Sequence, residues 1–523
     1  MLEIKKICLI FLVLLLGCSI RSNQANSQDN TITIYYNREI GQVNKKIFGN
    51  NFVGGDPVPC KFMDKEYYGH MDYGEGIWDP KRRVSVKDVI DLAKEAGITI
   101  VRFPGGCVTH HYNWKAAIGK EREHFLYGID EFLKTCAEIG AEPVMTVSYF
   151  TGNEQDAADL VEYLNCPNDG SNPNGGVDWA AQRAENGHPL PYIVRYFEVG
   201  NEVWHGDHQN IKEVLPEEYA ERYLKYYEKM KAVDPSIKIG CILYTQDWNR
   251  KVLGMVREKV DFGIVHTYPS PEVSNSELAK MSAEDIFRIT FINLMALDEY
   301  YFQEVLMLLK KNSGRDIPIA ITEYNGGFVQ EYPVPYRHCL GTALLNAEML
   351  RIFMKPEHNI LMANYWDFVN EYWGMVANGF YGKYKTLNKP YYKRPNYYVY
   401  ELYNKHFGDI LIGADVNSNS YIISKRSYNT IKKPIQMVIG KGVKRDFRNT
   451  PYLSVNASRN ENGSKIYLMV INKNMDKSVT STIELKNFVP AQEGNAWILN
   501  GPSVDATNEK NPDNVRVKHR KAE

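Results

Sequence analysis

Eight short apolar runs, beginning at residues 47, 98, 143, 192, 237, 262, 317 and 361, recur along this chain with helix-like stretches between most of them. Their β-branched and aromatic side chains suit buried strands. The stretch between the first two runs shows a different period. Val86, Val89, Ile90 and Ala93 fall at i, i+3, i+4 and i+7, and Gly97 ends the pattern. Similar helical stretches lie at 129–139, around Tyr223 and Tyr227, within 304–310 and at 335–354. Strands alternating with helices build parallel βα units. Eight of them predict an α/β fold, a closed (β/α)8 TIM barrel over residues 47–404. An open doubly wound sheet is the competitor, but no glycine-rich dinucleotide fingerprint supports it.

Beyond residue 405 the pattern changes to short alternating strands, at 410–411, 421–423, 436–438, 452–457, 465–472 and 478–484, separated by Gly, Asn and Lys turns. This predicts a C-terminal β-sandwich over 405–523. The early strand TITIYY, within 31–46, is assigned to the sandwich because eight strands already close a barrel. Residues 505–523 are polar and charged and are expected to fray.

The amino end reads as an address. Lys5 and Lys6 precede an apolar run over 7–16 that is too short to span a bilayer. Residues 1–18 are therefore expected to be a lipoprotein-type signal peptide, ending in Leu15-Leu16-Gly17-Cys18, which resembles a bacterial lipobox. This predicts an exported protein, periplasmic or anchored to the outer membrane through lipid on Cys18, with plain secretion as the alternative. Residues 19–30 are rich in Ser, Asn, Gln and Asp and read as a flexible tether. The other cysteines (Cys60, Cys107, Cys136, Cys166, Cys241 and Cys339) show no CxxC and are expected to be mostly unbridged, buried thiols. The formal net charge of −1 argues against a nucleic-acid partner.

Two runs end in a glutamate. RYFEVGNEVW (195–204) stops at Gly200-Asn201-Glu202, and IPIAITEYN (317–325) carries Glu323. Either glutamate alone reads first as a salt-bridged or exposed loop residue. Together, after strands four and seven, they are brought to one mouth by barrel closure. Two facing carboxylates are the machinery of glycoside hydrolysis.

The pieces YGEGIWD (73–79), VRFPGGC with YNW (101–107, 112–114), FEVGNEVW (197–204), DPSIKI (234–239), VHTYP (265–269), ITEYN (321–325) and LMANYWDFVN (361–370) together resemble glycoside hydrolase family 51. The resemblance implies a retaining, exo-acting α-L-arabinofuranosidase acting on arabinose-containing polysaccharides or oligosaccharides, without a cofactor. It implies Glu202 as acid/base, Glu323 as nucleophile, Asn201 on the sugar 2-hydroxyl and Arg102 beneath the carboxylates. It points to Tyr268 and His266 as ligands of the nucleophile or sugar, with Trp366 and Trp204 as candidate sugar platforms. It also implies an oligomer. The family's first strand typically ends in an acidic sugar ligand, where this chain has Phe48-Gly49-Asn50-Asn51-Phe52-Val53. Asn50 or Asn51 is the nearest substitute, which leaves the sugar open, not the reaction type. A β-xylosidase or endo-glucanase of the same clan is the alternative enzyme, and a glycan-binding lipoprotein the non-enzymatic one. His110-His111 and His205/His208 are read as loop histidines rather than metal ligands, because a strong site would need companion cysteines or carboxylates.

Overall fold

The computed structural model describes residues 30–54, 71–122, 124–269, 280–326, 336–370, 373–378, 391–423 and 449–522, and the backbone of strands Leu2–Ile4 and Cys8–Leu16. The segment 436–438, Cys60 and most of the tether over 19–30 lie outside the described residues.

The eight barrel strands are, in order, Gly49–Asn51, Ile100–Phe103, Glu142–Val147, Tyr196–Val199, Lys238–Ile242, Phe262–Thr267, Ile319–Tyr324 and Ile360–Tyr365. Each pairs in parallel with the next, and the eighth closes on the first through Asn364 and Gly49. A parallel sheet covered on both faces should read as continuous apolar runs. Strands two, four and seven are buried at every position, in agreement with that rule. Helices such as Lys87–Ala96, Ile129–Ile139 and Pro216–Val233 form the outer ring and bury Val89, Phe132 and Tyr223 against it. The protein is thus a closed eight-stranded TIM barrel with a separate C-terminal sheet domain.

That second domain is a nine-stranded sheet with its own core of Ile32, Ile34, Ile412, Leu453, Leu468 and Ile498. Strand Asn30–Gln42 lies in it, between Val479–Lys486 and Ile410–Asn417. The apolar segment expected to be a leader supplies a strand as well. Cys8–Leu16 pairs antiparallel with Lys465–Asn472 on one side and Pro490–Asn500 on the other. A continuous apolar run of this length suits an inner strand as well as a leader.

The expectation of a frayed tail over 505–523 is corrected. Arg516–Ala522 is a strand on Pro490–Asn500, and Val504, Ala506 and Val515 are buried. The carbonyls of Ala506 and Val504 accept the Leu340 and Gly341 amides at 2.9 and 2.8 Å, at the start of helix Leu340–Phe353. A helix leaves its first amides without internal partners, and the tail satisfies two of them. Buried Glu509 accepts from Arg394 Nε and from the Tyr392 hydroxyl, each at 2.8 Å. Glu509 is therefore a partner of barrel residues, while Lys510, Asn511, Asp513 and Arg516 face solvent.

Candidate active site

The site is built at the carboxyl ends of the barrel strands. After strand four the chain turns at Gly200 (φ +78°) and places Glu202 in the left-handed region (φ +36°). Such backbone is uncommon for a residue with a side chain and collects at functional sites. Glu323 stands on strand seven and is buried. Glu202, His266 and Glu323 each present one ligand atom within 4.8 Å of the others. The two carboxylates therefore face one another across a single mouth.

Arg102 lies beneath them at the end of strand two and is 0% exposed. Its Nη1 donates to Glu323 Oε1 at 2.9 Å and to Asn51 Oδ1 at 3.1 Å, and its Nη2 donates to Asn201 Oδ1 at 2.7 Å. Its Nε donates to Glu198, whose Oε1 also accepts from the Thr146 hydroxyl at 2.8 Å. A planar guanidinium with five donors suits this four-way junction in a way an ammonium does not. Glu198 is a buried partner that sequence reading missed, since inside the apolar run YFEV it carries no separate signal.

The Tyr268 hydroxyl donates to Glu323 Oε2 at 2.7 Å. His266 Nδ1 is 2.8 Å from Glu202 Oε1 and 3.5 Å from Glu323 Oε2, and its Nε2 meets the Thr322 hydroxyl at 3.1 Å. Burial pushes the Glu202 carboxyl up, but the bond and charge of His266, with His205 and Arg102, carry it down to about 2. Glu323 is held above the ordinary carboxylate value. Burial and the charge of Glu202 outweigh the opposing pull of His266, Arg102 and the Tyr268 hydroxyl. His266 is raised: burial alone would lower it, and the two carboxylates more than compensate.

The other expected site residues divide. Asn201 is buried beside the carboxylates with its amide carbonyl fixed by Arg102. Asn50 does not reach the site; its amide points at Met375 Sδ, 3.5 Å away. Its neighbour Asn51 joins the network instead, accepting from Arg102 and donating to the Thr322 carbonyl at 2.9 Å. Successive strand residues face opposite sides, so a one-residue shift decides which asparagine is inside. Trp366 is largely buried and packs on Gly105 and Gly106. A Cβ on either glycine would sit 2.8 or 2.3 Å from the indole, which accounts for the Pro-Gly-Gly run after Arg102. Trp204 stacks on Tyr244 (centroids 4.1 Å apart, planes 3° apart), so one ring face is covered by protein.

Two consecutive family models match. One, described as the alpha-L-arabinofuranosidase 1 domain, covers residues 93–285, and the alpha-L-arabinofuranosidase C-terminal domain covers 323–523. The chain belongs to the alpha-L-arabinofuranosidase family. Members of that family are glycoside hydrolases. Among its relatives are an intracellular exo-alpha-L-arabinofuranosidase of Bacteroides ovatus, 24% identical over 87% of this chain and 84% of that protein. A probable alpha-L-arabinofuranosidase C of Aspergillus clavatus is 25% identical over 93% of this chain and 92% of that one. Solved structures share the fold. The GH51 arabinofuranosidase of Xanthomonas axonopodis pv. citri superposes with TM-score 0.73 at 17% identity, covering 95% of this chain and 96% of that one. An arabinose complex of the Thermotoga maritima enzyme superposes with TM-score 0.70 at 22% identity, covering 94% and 95%.

Proposed function

We propose that this arabinofuranosidase-family protein releases terminal α-L-arabinofuranosyl residues by double displacement, with Glu323 as nucleophile and Glu202 as acid/base. The observation that carries this reading is the approach of a Glu202 oxygen to within 4.8 Å of a Glu323 oxygen across one barrel mouth. Retaining glycosidases hold their carboxyls ~5–5.5 Å apart and inverting ones ~6.5–9.5 Å, to leave room for water. Glu323 attacks the anomeric carbon while Glu202 protonates the departing oxygen. Glu202 then takes a proton from the water that hydrolyses the glycosyl ester.

Among these side chains the proton order is the reverse of what the first step needs, since Glu202 is the more acidic carboxyl. Contacts, rather than that order, support these roles. Both Glu323 oxygens accept from fixed donors, Arg102 and Tyr268, so a proton carried there would have to displace one of them. The close partner of Glu202 is His266, an imidazole able to return a proton.

The test is a panel of nitrophenyl glycosides, with NMR of the first-formed anomer. The α-L-arabinofuranoside should be turned over in preference to the β-xyloside and β-glucoside, with retained configuration. An inverted first product would sink the double displacement. Preference for the xyloside or glucoside would favour the clan alternative, for which the missing acidic residue on strand one is the motive.

Export belongs to the same proposal; it competes with the place of Cys8–Leu16 in the sheet and rests on the Lys5-Lys6 run and the Leu-Leu-Gly-Cys end alone. Mass spectrometry of the amino terminus of membrane-fraction protein should find it at Cys18, diacylated. An intact Met1 in the cytosolic fraction would reject it.

A further inference from the structure

On the Glu202 side of the cleft a second group of side chains converges. The segment Gly106–His111 is a 3-10 helix. Its three residues per turn put positions i and i+3 on one face. Cys107 and His110 are so spaced. His208 arrives from the loop after strand four, itself in left-handed backbone (φ +60°), and brings Nε2 to 3.2 Å from Cys107 Sγ. One ligand atom from each of Cys107, His110 and His208 lies within 4.8 Å of the others. The expectation that these histidines lack a companion cysteine is therefore corrected.

His110 is 0% exposed, and neither ring nitrogen has a hydrogen-bond partner among the described residues. A buried imidazole carries at least one donor or acceptor that must be met. The protein has met the rest of the residue. Its carbonyl accepts from the Thr151 and Ser148 hydroxyls, and its ring packs edge-on against Phe150, centroids 4.8 Å apart. Of the neighbouring polar groups, Asn201 Nδ2 donates to Cys107 Sγ at 3.6 Å, and two others are engaged away from the cluster. His111 is turned to the Asp207 carbonyl, and the Asp207 carboxylate accepts the Gln209, Asn210 and Ile211 amides, which fixes the loop carrying His208.

We propose that Cys107, His110 and His208 form a binding site for a thiophilic divalent transition metal ion of the zinc class. Such an ion takes thiolate and neutral imidazole at ~2.3 and ~2.0–2.1 Å, a span this cluster reaches with small side-chain shifts. Binding displaces the Cys107 thiol proton to solvent. Three protein donors leave a fourth position for water or an anionic oxygen. Resting on the reading of Glu202 as proton donor, an ion held on this side of the cleft keeps that carboxyl ionised, and turnover falls as the site fills.

Cobalt(II) titration of the full chain tests the site without reference to activity. The expected result is a thiolate-to-cobalt charge-transfer band with tetrahedral visible bands, saturating at one ion per chain and bleached by zinc. Cys107→Ser should abolish the charge-transfer band, and His208→Gln should weaken cobalt binding at least ~10-fold, the smaller end of what even outer-shell partners of a metal site are worth. A wild-type spectrum without the charge-transfer band at stoichiometric cobalt overturns the proposal, and so does a band that survives in Cys107→Ser. The wild-type titration decides the matter even if the serine variant fails to fold. If cobalt binds as described and turnover does not fall, the site stands and the proton-donor role of Glu202 is what needs revision.

Discussion

The two walls of the cleft are built on different terms. On the Glu323 wall Arg102 distributes its donors among Glu198, Glu323, Asn201 and Asn51, and Tyr268 closes the remaining Glu323 oxygen, while Glu198 Oε2 has no hydrogen-bond partner among the described residues. On the Glu202 wall the backbone is left-handed at Glu202 and again at His208, and the buried His110 imidazole has no hydrogen-bond partner among the described residues. The difference teaches that fixed charge and movable protons need different surroundings. The first is a core network on strand ends, positioned before substrate arrives. The second is carried on loops, with imidazoles as neighbours.

The comparison breaks first on the two carboxyls. Glu323→Gly should lose turnover by several orders of magnitude, and Glu202→Gly by at least the ~10²–10⁴ of positioned acid catalysis. Added azide should restore both, giving a glycosyl azide of inverted configuration from the Glu323 variant and retained configuration from the Glu202 variant. The opposite pairing would exchange the roles. Next comes stability. Arg102→Ala leaves buried carboxylates without their cation, a change worth ~3–5 kcal/mol in urea unfolding. His208→Gln, on the loop wall, should stay within about 1 kcal/mol. Similar losses for the two would erase the contrast.

A pH-dependent effect sharpens the contrast further. The folded pKa of His266 is raised above its unfolded value of ~6.5. Its stabilisation is then fully present below about pH 6.5 and is lost as pH rises through the folded value. Wild type should exceed His266→Gln in melting temperature most in mild acid, with the gap narrowing as the solution turns alkaline. A gap that widened with pH would contradict the contacts drawn for His266. The smallest expected effect separates neighbours on strand one. Asn51→Ala should lower kcat/KM more than Asn50→Ala, because only Asn51 touches Arg102. Equal losses would put both side chains in the site.

Much of this was legible in the chain. Seven of the eight barrel strands begin within two residues of their predicted starts, since a continuous apolar run is a local signal. The fourth begins at Tyr196 rather than 192, because Tyr192 and Ile193 follow the bend at Asn165 instead of the sheet. Glu202 and Glu323 were found because the glutamate-after-strand pattern repeats. What escaped depended on contacts between distant segments. Glu198 looks like one more residue of a strand until Arg102 is seen against it. The Cys-x-x-His of the 3-10 helix means little until His208 arrives from another loop. The tail read as loose because Glu509 finds its partners, Arg394 and Tyr392, over a hundred positions earlier.

That tail has a consequence for anyone cutting or extending the molecule. Glu509 grips Arg394, whose Nη1 donates to the carbonyls of Asn370 and Gly374, and Trp373, next to Gly374, packs against the ring of Tyr268. The carboxyl terminus is thus mechanically in series with the nucleophile. Trimming it, or splicing the barrel onto a foreign carbohydrate-binding module, would slacken a strut of the reaction centre rather than remove an appendage.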